Sequence, residues 1–143
     1  MNAAELLKSQ HEEMRELFQR FERARRREEK EEIFLEIAAW LVGHDAIERE
    51  IFYPACEKAL GKIDVLTEAI AEHGLMEFSI FRADKARGKE SFEYLVTTLQ
   101  EIVLDHVDEE ERELLPRATR KMNEQVLERL GGQMLDRFEQ AMS

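Results

Sequence analysis

Residues 44–48 read His-Asp-Ala-Ile-Glu and residues 106–110 read His-Val-Asp-Glu-Glu, so an imidazole and a carboxylate four positions apart occur twice, 62 residues apart. Four positions is about one helical turn, which makes His44 and Glu48 neighbours on one helix face, and His106 and Glu110 likewise. The same shift of 62 lays His11 on His73, Met14 on Met76, Leu41 on Val103, Phe52 on Leu114 and Pro54 on Pro116. The chain has four histidines, and all four fall in this register. The halves read as a repeated helical hairpin, and two such hairpins packed face to face make a bundle with approximate two-fold symmetry.

The flanking sequence places one helix around each histidine. Asn2-Ala3-Ala4-Glu5 has capping-box spacing, and Leu6, Leu7, Met14, Leu17, Phe18 and Phe21 follow a 3.6-residue period, predicting a first helix to about Arg26. Arg20, Arg23, Arg25, Arg26 and Arg27 cluster where that helix should end, and cations there complement its carbonyl end. Ile33, Phe34, Ile37, Trp40, Leu41, Ala46, Ile47 and Ile51 carry a second helix toward Pro54, which should end or kink it, with a further turn or two from Ala55 to Leu60 before Gly61. A third helix is expected from Ile63 to Arg87, with Leu66, Ile70, Leu75, Met76, Ile80 and Phe81 inside and Gly88 as its stop. A fourth runs from Ser91 to Pro116. A last segment from Asn123 to about residue 142, interrupted at Gly131 and Gly132, is expected as a shorter helix across the bundle. Short loops make neighbouring helices antiparallel.

Composition agrees with a single all-α domain over 1–143, an antiparallel up-down four-helix bundle over about 2–122 with a short extra C-terminal helix. Only six Gly and two Pro occur, and good helix formers dominate. The charge of −11 repels phosphate backbones, so no nucleic-acid partner is expected. Cys56 is alone, which excludes an intramolecular disulfide or a thiolate cage and reads as a buried core residue. With no apolar run of 18 residues and no charged-then-apolar leader, the expectation is a cytoplasmic protein with no membrane partner.

Ligand chemistry then narrows the function. Four imidazoles and two carboxylates exceed what one tetrahedral zinc needs, and mixed nitrogen and oxygen donors suit iron, with manganese, zinc or cobalt as substitutes. The pattern argues for two metal ions bridged by Glu48 and Glu110. Ferritin-like bundles use Glu-x-x-His, but Lys8, Leu41, Ile70 and Val103 stand three residues before the histidines here. The arrangement of His11, His44-x-x-x-Glu48, His73 and His106-x-x-x-Glu110 resembles the hemerythrin-like, or HHE cation-binding, family over about Asn2 to Met122. The resemblance implies that these six residues hold an oxo- or hydroxo-bridged di-iron centre.

The family's oxygen carriers have a further histidine one turn after the third-helix histidine. This chain has Glu77 there, and Glu77 is favoured as a seventh ligand over a solvated glutamate. That count leaves one of twelve octahedral positions open for dioxygen, hydrogen peroxide or nitric oxide, and an added carboxylate favours the ferric state over reversible oxygen carriage. Met14, Met76, Trp40 and Tyr53 are read first as packing. Asp45, Asp108 and Glu109 are candidates for orienting the ring nitrogens. The expected function is a non-haem di-iron protein that binds or reduces a small ligand. The alternative is an iron-responsive sensor, storage or interaction protein in which metal stabilises the bundle. Enzymatic turnover and oligomeric state are not legible.

Overall fold

Asn2 caps the first helix by the reciprocal bonds its spacing calls for. Its side chain accepts from the Glu5 backbone N–H at 2.9 Å, and its own N–H donates to the Glu5 carboxylate at 2.9 Å. The computed structural model describes all residues, Met1–Ser143. Its helices are α1 Ala3–Arg23, α2 Arg27–Ile47, α3 Tyr53–Leu60, α4 Asp64–Lys85, α5 Phe92–Glu109, α6 Leu115–Lys121 and α7 Glu124–Met142. A π turn over Glu48–Phe52 joins α2 to α3 without a break, and another over Glu110–Leu114 joins α5 to α6. The architecture is thus a four-helix bundle of α1, α2–α3, α4 and α5–α6, with α7 laid against α1 and α2.

The two prolines do not end their helices. A proline inside a helix lacks the N–H donor and presses on the carbonyl four residues back. Here Tyr53 N–H bonds Glu48 O and Leu115 N–H bonds Glu110 O, five residues back in each case, so an extra residue widens the turn just before Pro54 and Pro116. Both rods continue, to Leu60 and to Lys121, the second well beyond the expected stop at Pro116. The arginine run is divided: Arg20 and Arg23 lie in the last turn of α1, while Arg27 opens α2 ahead of Glu28 and Glu29.

Two apolar blocks fill the bundle. One contains Phe18, Phe34, Ile37, Phe92 and Leu99, the other Leu7, Ile47, Phe52, Leu66 and Leu114. Burying side chains of this size contributes about 1.5–3 kcal/mol each. The histidines fall between the blocks on every rod, as in α1, where Leu6 and Leu7 precede His11 and Met14 and Phe18 follow it. Cys56 is fully buried in the second block, and burial pushes its thiol well above the ordinary range.

Two further expectations are corrected. In α4 the core-facing stripe is Leu66, Ala69, His73, Met76 and Ala83, whereas Ile70, Leu75 and Phe81 are 43%, 58% and 56% exposed and Ile80 is half-buried. Ala69 and Ala83 are buried on this inner face beside the larger Leu66 and Met76. Phe78 and Phe81 instead carry Arg82 and Lys85 over their rings. The last helix is neither short nor interrupted, since α7 runs unbroken for 19 residues. Gly131 sits in it as a contact point, where a Cβ would lie 2.3 Å from the Met1 carbonyl oxygen. No helix is long and apolar enough to cross a membrane.

Candidate metal centre

Seven polar side chains are buried in this protein, namely Gln10, His11, His44, Glu48, His73, His106 and Glu110, and all of them meet in the layer between the two apolar blocks. α1, α2, α4 and α5 each supply one histidine, and the first residue of each π turn supplies one glutamate. Their ligand atoms form two groups, each within 4.8 Å: His11, His44, Glu48 and Glu110, and Glu48, His73, His106 and Glu110. Both glutamates belong to both groups. Glu48 Oε1 lies 3.1 Å from His44 Nε2 and 2.9 Å from His73 Nε2. The two oxygens of Glu110 each lie 3.4 Å from a histidine Nε2, that of His11 on one side and that of His106 on the other.

Every imidazole is held by its outer nitrogen. His11 Nδ1 donates to Glu111 at 2.6 Å, His44 Nδ1 to Gln10 at 2.7 Å, His73 Nδ1 to Asp45 at 2.6 Å and His106 Nδ1 to Glu72 at 2.6 Å. These partners fix the tautomer and turn each Nε2 inward, as the partners of metal-binding histidines do. Inside the layer, His11 Nε2, His44 Nε2, both oxygens of Glu48 and Glu110 Oε1 are buried without a hydrogen-bond partner. A buried polar atom left without a hydrogen-bond partner costs about 1–3 kcal/mol. A donor set of imidazole nitrogens and carboxylate oxygens left open in this way fits metal binding.

The family model for the hemerythrin HHE cation binding domain matches residues 2–118. The chain belongs to the hemerythrin HHE cation-binding family. The crystal structure of a hemerythrin HHE cation binding domain-containing protein from Mycobacterium kansasii shares the fold, with a TM-score of 0.87 at 28% identity over 99% of this chain and 88% of its own. No curated protein matches the chain significantly.

Charge balance inside this HHE domain is local. Burial opposes the imidazolium forms, but Glu110 and Glu111 raise His11 to about 9, and Asp45 and Glu48 raise His73 to about 10. His106 is raised against its burial by Glu110. Burial pushes Glu48 up, yet the surrounding imidazoles, His44 foremost, draw it well below the usual carboxylate range. A metal entering the site displaces the Nε2 protons, which couples binding to proton release.

The structure does not bring Glu77 to the other six residues. Its side chain is 72% exposed, and its carboxylate lies 3.7 Å from the Arg49 guanidinium, which itself bonds Asp45 at 3.1 Å. The repeat supplies the reason: Glu77 corresponds to Arg15, and Arg15 faces Glu111 at 3.6 Å in the other half. Both positions belong to an outer layer of ion pairs, with the charges exchanged between halves. Asp45 does orient a ring nitrogen, whereas Asp108 pairs with Arg15 at 3.3 Å and Glu109 is absent from the histidine contacts.

Gln10, Glu72, Glu111 and Tyr53 were missed as site residues. Gln10 and Glu72 each precede a histidine by one residue and are related by the repeat, a signal available in the sequence. Tyr53 is fully surrounded, and its hydroxyl donates to Glu110 Oε2 at 2.6 Å. Burial first, and then the carboxylates Glu110 and Glu48, raise its phenol well above the ordinary range. A cavity of about 270 Å³, which Tyr53 does not line, runs along all four imidazoles, with Met14, Trp40, Leu41, Met76 and Ile80 among its apolar walls. Trp40 stacks on the His44 ring at 5.5 Å and 19°. Glu77 and Arg49 also border this cavity.

Proposed function

We propose that this HHE domain holds two iron ions, bridged by Glu48 and Glu110 and by an oxo or hydroxo group, and that the pair binds or reduces dioxygen, hydrogen peroxide or nitric oxide. The observation that carries this reading is that all the buried polar side chains converge on one layer, where five ligand atoms lack partners while every Nδ1 is taken. The proposed ligands are His11, His44 and the two glutamates on one side, and His73, His106 and the same glutamates on the other. Glu77 is outside this set because its charge is matched by Arg49 at the surface. Manganese or zinc would fit the same donors as substitutes.

Bound iron supplies electrons and Lewis acidity toward the small ligand. The protein's own part is positioning and exclusion. Gln10, Glu72, Asp45 and Glu111 retain the Nδ1 protons, so that each imidazole presents Nε2 at a fixed angle. The apolar cavity walls admit a small uncharged molecule and keep bulk water from the layer. Against the ~30 Å³ that a water molecule occupies in the liquid, the 270 Å³ of the cavity accommodates a diatomic or a peroxide readily.

The test is anaerobic loading with ferrous iron, a count of metal per chain, and absorption spectra before and after oxygen, with His73→Ala alongside. Two irons per chain, with ferric bands developing in oxygen and metal lost in the variant, are expected. One iron or none per chain overturns the dinuclear reading. Two irons inert to oxygen, peroxide and nitric oxide overturn the redox reading and leave metal-linked stabilisation, read as a rise in melting temperature on loading.

A further inference from the structure

The Tyr53 hydroxyl reaches the inward-facing atoms of the ligand layer, and its repeat partner is Leu115. Its phenol oxygen lies 2.6 Å from Glu110 Oε2, 2.9 Å from His73 Nε2 and 3.3 Å from His106 Nε2. First-row metals bind nitrogen and oxygen donors at about 2.1 Å, so two donors at right angles on one ion stand about 3 Å apart. The three distances around the phenol oxygen bracket that separation. The oxygen therefore stands to His73, His106 and Glu110 as one ligand of an octahedral ion stands to its neighbours.

We infer that Tyr53 is a metal ligand, binding through its phenolate oxygen to the ion held by His73, His106, Glu48 and Glu110 and to no other. The inference rests on the dinuclear reading above and adds to it an inequality between the two ions. With one bridging oxygen shared, the ion on the His73 side has its six positions filled, while the ion on the His11 side, next to Leu115, keeps one open. The open position is thus assigned to the iron of His11 and His44, beneath Trp40. On binding, the phenol O–H bond is replaced by an O–Fe bond and the proton leaves to water. No electron moves.

How the chain delivers this oxygen is visible in the backbone. In an unbroken α-helix Tyr53, five residues after Glu48, would point about 140° away from it around the axis. The extra residue of the π turn over Glu48–Phe52 turns it back by about 100°, which brings Tyr53 to the Glu48 side. The second π turn does the same for Leu115, whose side chain has no donor atom.

Ferric protein offers a direct readout, because phenolate bound to iron(III) gives a visible charge-transfer band with resonance-enhanced tyrosine ring vibrations. The chain has two tyrosines, and Tyr94 is 74% exposed, so Tyr94→Phe is the control. Wild-type protein and Tyr94→Phe should both show the band and the vibrations. Tyr53→Phe should lose both while still binding two irons per chain. Wild-type protein with two irons and no such band, or an unchanged band in Tyr53→Phe, overturns the assignment and leaves the dinuclear site standing. Fewer than two irons in wild-type protein overturns the dinuclear reading itself. Should Tyr53→Phe bind fewer irons, ring-deuterated tyrosine in wild-type protein decides the matter, since vibrations that do not shift overturn the assignment.

Discussion

The two halves of the bundle agree in their buried histidines, glutamates and π turns and differ in several of the side chains around them. His11, His44 and Glu48 have their counterparts in His73, His106 and Glu110, and both π turns begin at the glutamate. Around this layer, Gln10 stands opposite Glu72, Arg15 opposite Glu77, Arg49 opposite Glu111, and Tyr53 opposite Leu115. Geometry tolerates little change in a ligand, because a donor displaced by an ångström no longer binds. Orienting partners are freer, since a carboxylate or an amide can accept the same Nδ1–H bond. Each half also keeps one arginine and one carboxylate in its outer pair, and it does not matter which helix carries which. The halves therefore present similar ligand candidates held by different partners.

The comparison breaks most completely at the shared residues. Glu48→Ala removes a donor from both groups, so it should abolish binding of both metals, whereas His11→Ala should spare the His73 side. Metal counts per chain after reconstitution separate the two outcomes. Retention of one tightly held ion in Glu48→Ala would show that the carboxylate serves a single site. Removing one partner from the buried charge network also costs about 3–5 kcal/mol, measurable by denaturant unfolding of the metal-free protein.

Tyr53→Phe tests the inequality of the ions by anion binding. Titrated with azide, the ferric wild-type protein should take one anion per chain and the variant two, the second on the newly opened ion. Equal stoichiometry would count against a single open position in the wild-type centre.

The orienting partners come next in size. Glu72→Ala removes the acceptor at His106 Nδ1 and should weaken metal binding about 10–100-fold, read by competition with a chelator, whereas Glu72→Gln, which keeps an acceptor and makes the second half resemble the first, should cost less. Gln10→Glu, its mirror, should leave binding equal or tighter, because a carboxylate raises the basicity of His44 more than an amide does. The smallest effect belongs to the exchanged surface pair. Glu77→Ala should leave two metals bound and change stability by less than about 1 kcal/mol, as exposed ion pairs do. Loss of a metal in Glu77→Ala would restore the carboxylate to the ligand set.

Much of the site was legible because the helical period ties ligand spacing to geometry. Four histidines in one register and two His-x-x-x-Glu pairs specify one face on each of four rods, and no tertiary detail is needed to bring those faces together. The errors have a common origin in residues whose position depends on a neighbour. Ile70, Leu75 and Phe81 fit an apolar pattern, but Ala69 and Ala83 are the residues that face the adjoining helices and are buried. Gly131 resembles a helix breaker and is instead the point where the N-terminal strand of chain crosses α7.

By itself the sequence determined the all-helical class, the repeated hairpin and the six histidine and glutamate ligand candidates, since each follows from periodicity within a single helix. Tertiary structure alone decided which side chain orients each imidazole. Glu111 reaches His11 across 100 residues, and Asp45 reaches His73 across 28. It also decided that Glu77 turns outward to Arg49 and that Tyr53 turns inward. The physical reason is the same for both. Charge pairing and the extra residue of a π turn act between or across helical turns, where the 3.6-residue period no longer says which way a side chain points.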